Sequence, residues 1–132
     1  MLNYLIVGLG GAIGTIGRFW LNDAVSRRFG ETFPLGTLVI NVTGSFAIAF
    51  FATMTTPEGR WMAPARGRAF FMTGICGGYT TFSSFSLQTL NLALDGEWLH
   101  AGANVGLSLT LCLLAAWLGY IAAMCLRRTK GI

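Results

Sequence analysis

The sequence predicts an all-α membrane protein with four transmembrane helices, the third of them broken mid-membrane, and three observations carry that prediction. Of 132 residues, 54% are hydrophobic and 11% charged, where a soluble domain carries about 25% charged residues. That deficit leaves too little polar surface for a water-facing domain of this size. The charges are also grouped, so residues 1–17, 35–56, 69–94 and 98–126 contain no Asp, Glu, Lys or Arg. Finally, adjacent glycines and adjacent threonines (Gly77, Gly78, Thr80 and Thr81) lie in the middle of the third run. Disorder is excluded by the 17 aromatic residues and the scarcity of charge. The whole chain, 1–132, reads as one four-helix transmembrane domain.

A membrane-crossing helix needs about 20 apolar residues at about 1.5 Å rise each. The first span is expected over 2–21, continuing past Arg18. A guanidinium inside a span usually has a partner or faces a water-filled opening; the alternative is snorkelling to the interface. Arg18 therefore reads as an anion-attracting group, a partner for a helix C-terminus, or an interfacial side chain. With no basic n-region before it, the first span reads as retained and not as a signal peptide. The second span, 35–56, holds Asn41 at its centre. Its amide offers two donors and an acceptor, for an interhelical hydrogen bond or for a ligand.

The third span, 69–94, contains GICGGYTTFSSFS over residues 74–86. Paired glycines lower helix propensity, and β-branched threonines bond their own backbone. A break is therefore expected near residues 77–80, with Thr80 or Thr81 capping the second half. Unwound backbone at membrane depth survives only when buried in protein or lining a cavity. In such breaks freed carbonyls hold cations, while half-helix N-termini face anions. Thr81, Ser84, Gln88 and Asn91 then share one helical face, with Phe82 and Phe85 beside it. The fourth span, 98–126, carries Asn104 and Ser108 one turn apart. Three GxxxG pairs, Gly10 and Gly14, Gly74 and Gly78, Gly102 and Gly106, predict close helix packing. Four helices enclose little, so self-association is expected.

The net charge of +4 and pI near 9.4 do not point to nucleic acid. Arg27, Arg28, Arg60, Arg66, Arg68, Arg127, Arg128 and Lys130 flank the spans, at the level of lipid headgroups. Six basic residues on the side of the termini against two or three on the other favour both termini in the cytoplasm. Cys76, Cys112 and Cys125 lie inside spans, without CxxC, and His100 is the sole histidine; a disulfide framework or zinc site is not expected. Asp23, Glu31, Glu58, Asp95 and Glu97 all lie at span ends or in loops. A proton-coupled exporter of cationic drugs normally uses an intramembrane carboxylate. Neither a nucleophile–base pair nor a phosphate loop is present, so the chain does not read as an enzyme. The embedded donors are amides and hydroxyls beside aromatic rings, whose edges carry partial positive charge. That inventory suits a small, strongly hydrated anion.

The motifs resemble those of the Fluc (CrcB-type) fluoride channels. The first span has Gly10-Gly11-Ala12-Ile13-Gly14 and then Arg18-Phe19-Trp20, similar to that family's GGxxG and R-aromatic pattern. The second has Gly36-Thr37 and Asn41-Val42-Thr43-Gly44-Ser45-Phe46; the third has GGYTTFSSFS, close to a family signature. The resemblance implies an antiparallel (dual-topology) homodimer of four-helix subunits in the inner plasma membrane. Two fluoride pores would run along the subunit interface, with a structural sodium ion at the dimer centre. Backbone carbonyls of Gly77 and Thr80 would hold that sodium. Phe82 and Phe85 would line the pores, and Asn41 would donate to fluoride. Thr81, Ser83, Ser84 and Ser108 would form a polar track, Asn104 fits the fourth-helix pattern beside it, and Arg18 would stand near the pore entrance. Gln88 replaces a frequent Glu, Tyr79 a usual aliphatic residue and Ser84 a frequent Thr. The uneven basic flanks also sit awkwardly with antiparallel insertion.

The function expected from this resemblance is passive, selective fluoride efflux. The alternatives are a small multidrug-type exporter, disfavoured by the missing carboxylate, and a structural membrane subunit that uses Asn41 and the glycines only for packing.

Overall fold

The structure, a computed structural model, describes residues 1–57, 59 and 61–128, with only the backbone at Arg128. Glu58, Arg60 and Lys130, which entered the charge reading above, lie outside the described residues. Among the described residues all regular structure is helical.

Helix α1 is Leu2–Phe29 and α2 is Leu35–Met54. The third segment comes in pieces: α3, Ala65–Arg68; a π-helical stretch, Ala69–Cys76; α4, Gly77–Tyr79; and α5, Phe82–Leu94. Helix α6 is Trp98–Arg128. Among the described residues three helices are long and apolar enough to cross a membrane, Leu2–Phe29, Leu35–Met54 and Trp98–Arg127.

Helix α1 continues to Phe29 and not only to residue 21, because neither glycine nor proline occurs between residue 21 and Gly30. Its extra turns carry an Asp23–Arg27 ion pair at 2.8 Å. Arg27 and Arg28 occupy its last turn, where cations suit the helix dipole. Helix α2 follows Pro34 and ends under a side-chain cap from a distant segment. Arg68 Nη1 donates to the carbonyls of Thr55 (2.6 Å) and Ala52 (3.4 Å) and to the Thr55 hydroxyl. Those contacts satisfy carbonyls that a helix end otherwise leaves bare. The connection is pinned further by Trp61, whose ring packs edge-on against Phe50 at 5.9 Å.

Helix α2 packs along α6, α1 along the π stretch and α4, and α5 along α6. The α1 crossing is a glycine-on-glycine contact. A Cβ on Gly14 would overlap the Ile75 carbonyl, and one on Gly78 would overlap that of Gly11. Gly10 meets Gly74 in the same way. Gly102 and Gly106 meet nothing within 4 Å, so the packing expected of that pair is not made within this chain. Small residues also fill the α6 interface, where Ala101, Ala115 and Ala123 are buried. Large apolar side chains point outward instead, among them Leu5, Leu9, Ile13 and Ile16 on α1 and Leu109, Leu113 and Trp117 on α6. Small residues inside and bulky ones outside is the pattern of helices packed in lipid.

The glycine crossing sets an expected outcome. Gly14→Ala should cost about 1–3 kcal/mol through overpacking against backbone. Gly8→Ala, with nothing within 4 Å, should be neutral or stabilising by up to about 1 kcal/mol. Thermal unfolding of the two variants in detergent checks the contrast.

Candidate functional site

Between α4 and α5 the backbone leaves the helix for two residues. Thr80 has φ −80°, ψ 157° and Thr81 has φ −152°, ψ 110°. The sequence placed the break near residues 77–80, which takes in Thr80 but not Thr81. Gly77 and Gly78 instead stay helical, because Gly78 is needed for contact with α1, and the β-branched threonines take the extended backbone that suits them.

Asn41 closes the gap. Its side-chain oxygen accepts from Thr81 N–H at 2.8 Å, and its Nδ2 donates to the Thr81 carbonyl at 3.1 Å. One amide thus satisfies both backbone groups of the extended residue. One amide hydrogen of Asn41 remains beyond this pair. Thr81 Oγ1 then caps α5 by accepting from Ser84 N–H at 3.1 Å. The same hydroxyl donates to Ser84 Oγ at 3.0 Å and lies 3.2 Å from Ser83 Oγ.

These bonds redirect two donors. In an uninterrupted helix Thr81 N–H would serve the Gly77 carbonyl and Ser84 N–H the Thr80 carbonyl. Both now serve side chains. Gly77 and Thr80 therefore lose their helical donors, which leaves neutral, electron-rich oxygens of the type that hard cations prefer.

A cavity of about 370 Å³ opens at this point, lined by Asn41, Gly77, Thr80, Thr81, Phe82, Phe85 and Ser108 among others. Phe85 is buried while Phe82 is 74% exposed, and their ring centroids are 5.3 Å apart. Most of the remaining wall is apolar, from Ile48, Leu109 and Leu113. An ion here would meet few donors and little water.

Relatives make the setting specific. The sequence matches the family described as CrcB-like protein, Camphor Resistance (CrcB), over residues 5–120. The chain belongs to the CrcB family. A protein of Opitutus terrae named fluoride-specific ion channel FluC is 62% identical over 128 residues, which cover 97% of each chain. Proteins of the same name from Paramagnetospirillum magneticum (58% identical; 97% of this chain, 100% of the relative) and Rhodospirillum rubrum (54%; 93% and 95%) are similarly close. A CrcB family chain is an ion-channel chain and not an enzyme. With the three apolar helices, it is a multi-pass membrane protein.

Within this CrcB protein, the structure gathers seven of the sequence-predicted residues on one cavity, while four lie elsewhere. Ser83 and Ser84 join it indirectly, through Thr81. Asn104 is 1% exposed. It donates to Thr89 Oγ1 at 2.8 Å and accepts weakly from Ser108 at 3.5 Å, so it ties α6 to α5. Arg18 is half-buried in α1, away from the cavity lining, and makes no ion pair among the described residues. Gln88 and Asn91 line a second, polar cavity of about 510 Å³ with Asn22, Glu31, Asp95 and His100. The Gln88 Oε1 atom is buried there without a hydrogen-bond partner.

Four contributors escaped the reading of the site from sequence. Thr89 anchors Asn104 by accepting from its amide, and nothing in its sequence position pointed to that role. Met72, Cys76 and Cys112 line the cavity wall, and only the fold brings them there. Removing the Asn41 amide should be costly. Asn41→Leu leaves both backbone groups of Thr81 unpaired and should lose about 2–6 kcal/mol, at about 1–3 kcal/mol per group. Asn104→Ala should lose about 1–3 kcal/mol. Thermal melts of the purified variants measure both.

Proposed function

We propose that this chain forms a fluoride-selective channel that lets fluoride leave the cytoplasm passively, driven by its gradient and the membrane potential. The observation that carries the proposal is the extended Thr80 and Thr81 pair, bridged by Asn41 and opening on a cavity beside Phe82 and Phe85. The names borne by relatives of 54–62% identity support fluoride as the ion. On this reading the third segment crosses the membrane as a broken helix, with the two threonines at depth. The exposed N-terminal turn of α5 presents N–H groups and the positive end of its dipole to an anion. Asn41 contributes its spare hydrogen, and Phe82 and Phe85 contribute ring edges. Thr81, Ser83, Ser84, Ser108 and Asn104 continue the polar route, and Arg18 attracts anions toward it.

The cavity is walled by one chain on part of its circumference only, and Phe82 is exposed. A second copy, inserted antiparallel in the inner plasma membrane, would complete the wall. The unpacked Gly102 and Gly106 offer it a close-contact face. A structural sodium ion would be held by the Gly77 and Thr80 carbonyls of both copies. Sodium would supply a fixed positive charge near the anion routes.

Proteoliposomes holding the pure protein and fluoride test the reading. Valinomycin should trigger fluoride release with little chloride release under the same conditions. No release, or equal release of both ions, would sink the proposal. Asn41→Asp replaces a donor by a negative charge, and Phe82→Ile removes a ring edge. Each should cut fluoride flux by at least about tenfold, the equivalent of one lost hydrogen bond.

A further inference from the structure

Helix α2 has 20 residues, a rise of about 30 Å, which matches the hydrocarbon thickness of a bilayer. Its C-terminal end therefore stands at the level of the lipid headgroups. The chain after it folds back and builds a recess there. Trp61 N–H donates to the Met54 carbonyl at 3.0 Å. The Trp61 ring packs against Phe50 and Phe51, with centroids 5.9 and 6.4 Å away. The result is a cavity of about 720 Å³, lined by Thr55, Thr56, Trp61, Met62, Pro64 and Arg68 among others.

Arg68 is the one charged side chain among the described lining residues. Its bonds to the end of α2 all come from Nη1, and it makes no ion pair among the described residues. The donors on Nε and Nη2 remain. Neither nitrogen is among the buried atoms left without a partner, so both are open to a group from outside the chain. The Nη1 bonds fix the guanidinium in place and offset the negative end of the α2 dipole. The neighbouring hydroxyls are already committed: Thr55 donates to the Phe51 carbonyl at 2.7 Å and Thr56 to that of Thr53 at 3.2 Å. Recognition in the recess thus falls to the free edge of Arg68, whose planar donors match two oxygens of one phosphate.

The walls beside that edge are apolar and open. Trp61 is 46% exposed and Met62 fully exposed, and tryptophan favours the boundary between headgroups and hydrocarbon. We propose that this recess is a phospholipid site, in which Arg68 binds the headgroup phosphate and Trp61 and Met62 cover the carbons next to it. The lipid is an anionic one. In a zwitterionic headgroup an ammonium offsets the phosphate charge, whereas the exposed Arg66 close by adds to the attraction of a net negative one. The site is separate from the ion path, because none of its lining residues borders the cavity beside Asn41.

The test is thermal unfolding of the purified full chain in detergent, titrated with phosphatidylglycerol. Melting should rise to a plateau, at a lower lipid fraction than phosphatidylcholine requires, and inorganic phosphate should not reproduce it. Met62→Glu sets a carboxylate in the recess at a position that packs against nothing. It should raise the phosphatidylglycerol fraction for half-maximal stabilisation at least about tenfold, the effect of one charge-assisted bond. Arg68→Lys keeps a cation for the end of α2 but loses the fork, and should shift the midpoint in the same direction. Leu99→Glu makes the same charge change at the start of α6, outside the recess, and should keep the wild-type midpoint. Equal shifts in Met62→Glu and Leu99→Glu would reduce the effect to net charge. Wild-type midpoints in both Met62→Glu and Arg68→Lys would put the lipid elsewhere. Equal stabilisation by inorganic phosphate would make the recess a free-phosphate site, and equal midpoints for the two lipids would remove the anionic preference. Each of these four results overturns the inference.

Discussion

The structure depends on one amide. Asn41 of α2 meets the peptide of Thr81 on both sides, accepting from its N–H and donating to its carbonyl. Extended backbone in an apolar setting leaves groups unpaired that water would otherwise satisfy, at a cost of about 1–3 kcal/mol each. A single side chain removes both costs at Thr81. The rest follows from which donors it displaces. Thr81 N–H turns sideways to Asn41 and Ser84 N–H turns to the Thr81 hydroxyl, so the carbonyls of Gly77 and Thr80 lose their helical partners. The same two bonds that make the interruption tolerable thereby create a place with bare oxygens on one side and a fresh helix N-terminus on the other. Opposite electrostatic ends within a few residues are what the proposed cation and anion roles both require.

Glycine and threonine divide the work around this point. Gly78 and Gly14 bring α1 into backbone contact with the third segment, and that contact holds α4 in place just before the chain unwinds. The threonines supply branching for extended backbone and hydroxyls for capping. Arg68, from the start of the same segment, reaches the end of α2. Helix α2 is therefore tied to the third segment near its end through Arg68 and at its middle through Asn41, Thr43 and Gly44. An unwound pair is flexible by nature; here it is bracketed by contacts on two neighbouring helices.

Much of this was legible in the sequence, and the losses have identifiable causes. Charge-free runs located the helices, because lipid tolerates few charges and length is set by membrane thickness. They did not locate the end of α1, since a helix continues beyond the apolar stretch wherever nothing stops it. The GGYTTFSSFS stretch revealed an irregular segment and its cap. The expected break took in Thr80 but ran back over the two glycines, which stay helical, because glycine signals both weak helix propensity and close approach, and Gly78 serves the second. Asn41 was read as either packing glue or ligand donor. The amide geometry shows how it performs the first, and the proposed channel uses its remaining hydrogen for the second. The partners of Asn104 and of Tyr79, the hydroxyls of Thr89 and Thr43, could not be read at all. Thr89 and Thr43 are ordinary residues whose importance comes only from which helix faces them.

In the proposed channel, neutral donors have a physical reason. A buried guanidinium or ammonium beside the path would hold a small anion too firmly for it to move on, and conduction needs binding that is favourable yet easily relinquished. Amide hydrogens, hydroxyls and ring edges each give a small part of what water gave, and several in sequence can hand an ion along. Arg18, standing apart from the cavity lining, would in the proposed channel draw anions in without trapping them. The cost of that design is specificity, because weak neutral donors discriminate poorly by themselves. In the proposed channel, discrimination falls to geometry: an apolar wall that admits only an ion small enough to be served by the few donors present, and a backbone turn held rigidly enough to keep those donors in place.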